Sequence, residues 1–100
     1  MGDLKMYAKI YWIGCDPDNA ANMLEHYDSV MTPAIQSSEY HVGHQMVEAG
    51  TDRWLLVSNY HNKAGAEAAV PLVQELVKPM VEQFGMTLEV ITEGEVTRSI

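Results

Sequence analysis

Apolar positions dominate both sides of a two-residue repeat over Met6–Gly14, MYAKIYWIG: Met6, Ala8, Ile10 and Trp12 fall on one side, Tyr7, Lys9, Tyr11 and Ile13 on the other. Such a run, rich in aromatic and β-branched residues, predicts a strand. Both sides are largely apolar, so this strand needs cover on both faces. The period then changes. Asp16-Pro17 is a helix start, because Asp can cap free N–H groups and Pro is favoured at the first helical position. Ala20, Met23, Leu24, Tyr27, Val30 and Met31 follow at helical spacing, and Pro33 predicts an end or a kink near Thr32.

The stretch Glu39–Asn62 returns to strand character as two runs separated by Ala49-Gly50-Thr51-Asp52, which predicts a hairpin. A loop with an even number of residues sets Glu48 opposite Arg53. One face then carries Tyr40, Val42, His44 and Met46 with Leu55, Val57, Asn59 and His61; the other carries His41, Gly43, Gln45 and Val47 with Trp54, Leu56, Ser58 and Tyr60. One residue more or fewer in the loop exchanges one strand's set for the other.

After the hairpin, Ala66, Ala69, Val70, Val73, Leu76, Val77, Met80 and Phe84 form an apolar stripe at helical spacing. Pro71 and Pro79 interrupt it and predict a kink, or a helix that starts afresh at Pro71. Gly85 is placed to end it. Met86–Thr97 reads as a last strand, with Gly94 inviting a bulge. The order is β-α-β-β-α-β in a single domain spanning 1–100, an α+β, ferredoxin-like arrangement: a four-stranded antiparallel sheet with two helices on one face. The surplus of Tyr, Trp, Leu and Val on the other face predicts a two-fold homodimer.

Charge and composition narrow the partners. The net charge of −8, with only six Lys and Arg scattered along 100 residues, argues against nucleic acid and anionic membrane surfaces. No apolar run reaches signal-peptide or membrane-spanning length, so a cytoplasmic protein is expected. Cys15 is the single cysteine, which leaves no intramolecular disulfide and no thiolate zinc cluster within one chain.

The element order, the length and the two-faced strands, together with His26-Tyr27 followed by Thr32-Pro33-Ala34, resemble the dimeric α+β barrel superfamily. It includes the antibiotic-biosynthesis monooxygenases, the stress-responsive barrel proteins and small isomerases and decarboxylases. Some members have a His before that Pro, where Met31 and Thr32 stand here. The resemblance implies a small, often aromatic, ligand held between sheet and helices. The haem-degrading branch uses a histidine of the second helix; this second helix has none, so haem is not expected.

The candidate chemistry lies with the histidines. His41-x-x-His44 has metal-like spacing, but an offset of three on a regular strand sends the rings to opposite faces. No metal site is expected, an approach by His26 or Glu25 from the helix being its main route. In the even-loop register His44, Asn59 and His61 form a polar row. His44 or His61 is then a general base toward an acidic C–H or phenol, with the Asn59 amide donating to the developing oxyanion, a cofactor-free arrangement suited to enolisation, isomerisation or oxygenation. His26, Tyr27, Trp12, His41 and Tyr60 are candidates for lining the ligand pocket. His41 paired with Tyr60, near Gln45 and Ser58, is the second choice of site if that face meets the helices. The alternative function is a non-catalytic dimeric module whose histidines and tyrosines belong to an interface.

Overall fold

The computed structural model describes residues 5–100; the four residues before them, part of the stretch read for targeting signals, lie outside the described residues. The elements are β1 (Tyr7–Gly14), α1 (Pro17–His26), a wide helical turn (Tyr27–Met31), α2 (Thr32–Ser37), β2 (His41–Glu48), β3 (Arg53–Tyr60), α3 (Lys63–Ala68), α4 (Val70–Phe84) and β4 (Thr87–Glu95). The strands form one antiparallel sheet in the order β2-β3-β1-β4. Helices pack on one face only, giving the ferredoxin-like fold.

The core lies between that face and the helices. Tyr11 and Ile13 of β1, Trp54 and Leu56 of β3, and Met86 meet Met23, Met31 and Met80 from the helical layer. Tyr7 and Tyr60 pack with Ala66 and Ala69 in a second cluster. Burying an apolar side chain of this size stabilises the fold by about 1.5–3 kcal/mol, so these contacts, rather than helix propensity, hold the helices to the sheet. Trp12, Ile10, Leu55 and Val57 lie on the other face, where they are half-buried, and Val47 beside them is 53% exposed.

The first helix does not stop at Thr32. Asp16 caps α1 as predicted, its side chain accepting from the Asp18 N–H at 2.9 Å. At Tyr27–Met31 the helix widens, with the Thr32 N–H donating to the Tyr27 carbonyl five residues back, and it continues through Pro33 to Ser37. Pro33 has no N–H and its ring crowds the carbonyl four residues earlier; a widened turn relieves both problems without ending the helix. The second helical region divides at Ala69, with Pro71 in the first turn of α4. Pro79 remains inside α4, and Gly85 closes it in a left-handed conformation, φ 65°, with its N–H on the Val81 carbonyl at 3.0 Å.

The hairpin register departs from expectation. Glu48 pairs with Trp54 and Ala49 donates to the Arg53 carbonyl at 3.0 Å, so the loop proper is residues 50–52, an odd number. The register slips again between His41 and Gly43, where Val42 bulges and His41 pairs with Tyr60. In β4 the bulge is at Ile91 rather than Gly94, because Ile10 pairs with Thr92 and Tyr11 with Val90.

Candidate functional site

Two single-residue irregularities build the site. The odd loop turns His44 and Met46 to the helix face beside Ser58 and Leu56; the Val42 bulge then turns His41 to the same face. The two rings lie 5.4 Å apart, centroid to centroid and edge to face, so the opposite-face reading of His41-x-x-His44 is overturned. The wide helical turn begins at Tyr27, whose hydroxyl lies 2.7 Å from His44 Nδ1. On the ring's other side Ser58 Oγ lies 2.9 Å from Nε2. Tyr27, His44 and Ser58 thus form a continuous hydrogen-bonded row from helix to sheet.

Burial first, and the neighbouring His41 second, lower the His44 pKa to about 4. Burial first and Asp28 second push the Tyr27 phenol up to about 12. Near pH 7 both partners are therefore neutral. A neutral imidazole between two hydroxyls can accept at one nitrogen while donating from the other, so it can exchange protons without holding a buried charge.

The row lies where two spaces meet. A narrow cavity of about 20 Å³, room for one water, is lined by Tyr11, Tyr27, His44, Ser58, Tyr60 and apolar side chains that include those of α4 and β4. A groove of about 360 Å³ opens beside it, bounded by Tyr27, Thr32, Ile35 and Gln36 on the helical side and by His41–His44 and Met46 on β2. Tyr27, Ile35 and His44 belong to both. The groove is of the size that holds small organic ligands.

The expected row of His44, Asn59 and His61 does not form. Asn59 sits between the inward-facing Ser58 and Tyr60 and lies on the opposite sheet face, and His61 follows the end of β3, exposed. Trp12 is also on that other face, with the Arg53 guanidinium 4.3 Å from its ring centre, and it lines neither space. His26 packs edge-on against Phe84, 5.6 Å between centroids, away from both. Tyr27, His41 and Tyr60 do reach the cavity or groove; the His41 and Tyr60 rings lie 4.6 Å apart. Ser58 belongs to the row and Ser38, 2.7 Å from His41 Nδ1, to the groove wall; sequence reasoning assigned neither a part in the leading site. The available signal was Gly43, since an isolated glycine in a strand marks a bulge. Among the described residues no three His, Cys, Asp or Glu side chains converge as metal ligands, and no helix is long and apolar enough to cross a membrane.

Comparison with solved structures defines the class of fold. A Deinococcus radiodurans protein assigned provisionally to the antibiotic biosynthesis monooxygenases superposes with a TM-score of 0.75 at 13% identity, over 94% of this chain and 95% of that one. A dimeric ferredoxin-like protein from an uncultured marine organism gives 0.75 at 12% identity, over 95% and 97%. SnoaB, a cofactor-independent oxygenase from Streptomyces nogalater, gives 0.69 at 7% identity, over 96% and 97%. No family model and no curated protein matches the sequence. The chain thus has the ferredoxin-like fold that these proteins share.

Proposed function

We propose that this chain forms a homodimer that binds a small aromatic or enolisable compound in the groove beside Tyr27 and His44 and acts on it by cofactor-free proton transfer. The observation that carries this reading is the Tyr27–His44–Ser58 row at the junction of groove and cavity. With the imidazole neutral, the pair is suited to bifunctional rather than strongly basic catalysis. The acidic C–H proton of a bound ketone passes to His44 Nε2 in place of the Ser58 bond, and the Nδ1 proton moves to the Tyr27 oxygen. Tyr27 gives its own proton to the ketone oxygen. The C–H pair becomes the enol double bond and the carbonyl π pair takes the new O–H, so no charge is left in the site. The same enol or phenol chemistry precedes isomerisation and cofactor-independent oxygenation, the activity named for SnoaB.

The homodimer is supported by Ile10, Trp12, Leu55 and Val57 on the sheet face away from the helices and by the dimeric state named for a structural neighbour. The test of the catalytic reading is deuterium exchange: small keto acids and hydroxyaryl ketones are incubated with the protein in heavy water and followed by NMR. Exchange α to the carbonyl that is faster than in buffer and lost in His44→Gln is expected. Exchange at the buffer rate for every compound, with no compound raising the melting temperature, overturns the reading.

A further inference from the structure

The Val42 bulge brings to the groove a second imidazole that the proton row does not use. Ser38 Oγ accepts from the Tyr40 N–H at 3.1 Å and lies 2.7 Å from His41 Nδ1. With the amide on one lone pair, the hydroxyl can donate to Nδ1 or accept from it through its second lone pair; the first arrangement puts the proton of the neutral ring on Nε2. That Nε2 is closed off from solvent and has no hydrogen-bond partner among the described residues, in a side chain that is 6% exposed. Burial also lowers the His41 pKa, so the ring stays neutral.

In that arrangement Nε2–H is an unpaired buried donor, which lowers stability, and it belongs to a ring that borders a ligand-sized groove. A ligand acceptor that parts the neighbouring side chains and reaches Nε2 regains that loss. The groove also discriminates by charge. Its lining residues are Tyr27, Thr32, Ile35, Gln36, His41–His44 and Met46, none of them Lys or Arg, on a chain of net charge −8. A carboxylate or phosphate would enter without a compensating cation, whereas a carbonyl oxygen needs only the N–H.

We propose that His41 is the specificity-determining residue of the groove, its Nε2–H donating to the carbonyl oxygen of an uncharged ligand and favouring such ligands over carboxylates. This rests on the groove being the ligand site proposed above, and it adds the ligand's polarity and the residue that reads it.

The test uses three probes of one shape: 4-hydroxyacetophenone, 4-ethylphenol, which lacks the carbonyl, and 4-hydroxybenzoate, which is anionic. Titration calorimetry on the full chain is expected to give the ketone about tenfold tighter binding than either of the others, the usual penalty for a buried donor left unpaired. In His41→Phe the ketone's advantage over 4-ethylphenol disappears; in His41→Gln, which offers an amide N–H, part of it returns. On the unaltered protein, long-range ¹H–¹⁵N spectra are expected to report His41 protonated at Nε2 and to shift that signal with the ketone but not with 4-ethylphenol. An equal affinity for ketone and ethylphenol, an advantage that survives His41→Phe, or a proton on Nδ1 overturns the inference. Enzyme-dependent deuterium exchange without probe selectivity removes the role of His41 alone; absence of both exchange and probe binding removes the underlying site as well.

Discussion

The Tyr27 hydroxyl and His44 Nδ1 lie 2.7 Å apart although 17 residues separate them in the chain, joining the first helical region to the edge strand of the sheet. Ser58 reaches the same ring's other nitrogen at 2.9 Å. Because both hydroxyls act through one imidazole, their removal is not additive. Tyr27→Phe and Ser58→Ala are each expected to cost about 1–3 kcal/mol by leaving a buried nitrogen unpaired. The double variant is expected to depart from the sum by about 0.5–3 kcal/mol, measured as a urea double-mutant cycle. Simple additivity would mean that the row is two unrelated contacts.

The depressed His44 pKa makes stability pH-dependent with a defined sign. Its folded value of about 4 lies below the usual 6.5, so the unfolded chain binds more protons between these values. The stabilisation is complete above pH 6.5 and is lost as pH falls through 6.5 toward 4. Between pH 7 and 5 this one group contributes a loss of about 2 kcal/mol. Urea midpoints across that range are expected to fall less in His44→Gln. A residual slope of the same sign remains, because burial also lowers the His41 pKa. Equal slopes in the two proteins would place the titration elsewhere.

Val57 lies at the middle of β3, on the face away from the helices, and pairs with Ile10 of β1. If a second copy covers this face, Val57→Glu sets a carboxylate against its counterpart across the two-fold interface. Light scattering is expected to give twice the chain mass for the parent and the single mass for the variant, with the helical circular dichroism of the two alike. A parent of single mass at working concentrations would leave the apolar face without a second copy.

Gly85 ends α4 with φ at 65°, and nothing within 4 Å would meet an added Cβ. The cost of Gly85→Ala is therefore backbone strain alone, about 1–2 kcal/mol, read as a lowered melting temperature. Proton exchange at the groove is expected to be unchanged. Unaltered stability would mean that the helix end relaxes away from the left-handed conformation.

Much of the architecture was legible from local chemistry. The β-prone run over Met6–Gly14, the Asp16-Pro17 cap and Gly85 each specify an element or its end within a few residues of sequence, and β1, the start of α1 and the end of α4 lie where they indicate. The order of elements then left few topologies, and the ferredoxin-like sheet is among them. Tyr27, His41, His44 and Tyr60, candidates by residue type, line the cavity or the groove, whereas Asn59, His61, His26 and Trp12, candidates on the same grounds, line neither.

What the sequence determined by itself is therefore the list of elements, their order and the residues able to carry chemistry. Which of those residues meet was decided only in three dimensions. Residues 50–52 make an odd loop, Val42 an extra residue in β2, and Tyr27–Met31 a widened turn. Gly43 beside the bulge and Pro33 after the widened turn mark an irregularity without saying which side chains it redirects, and a single step along a strand reverses every side chain beyond it. Trp54, Leu56, Ser58 and Tyr60 are buried beneath the helices, and that long-range burial selects the register. The same register takes Asn59 away from His44 and sets Ser58 against it.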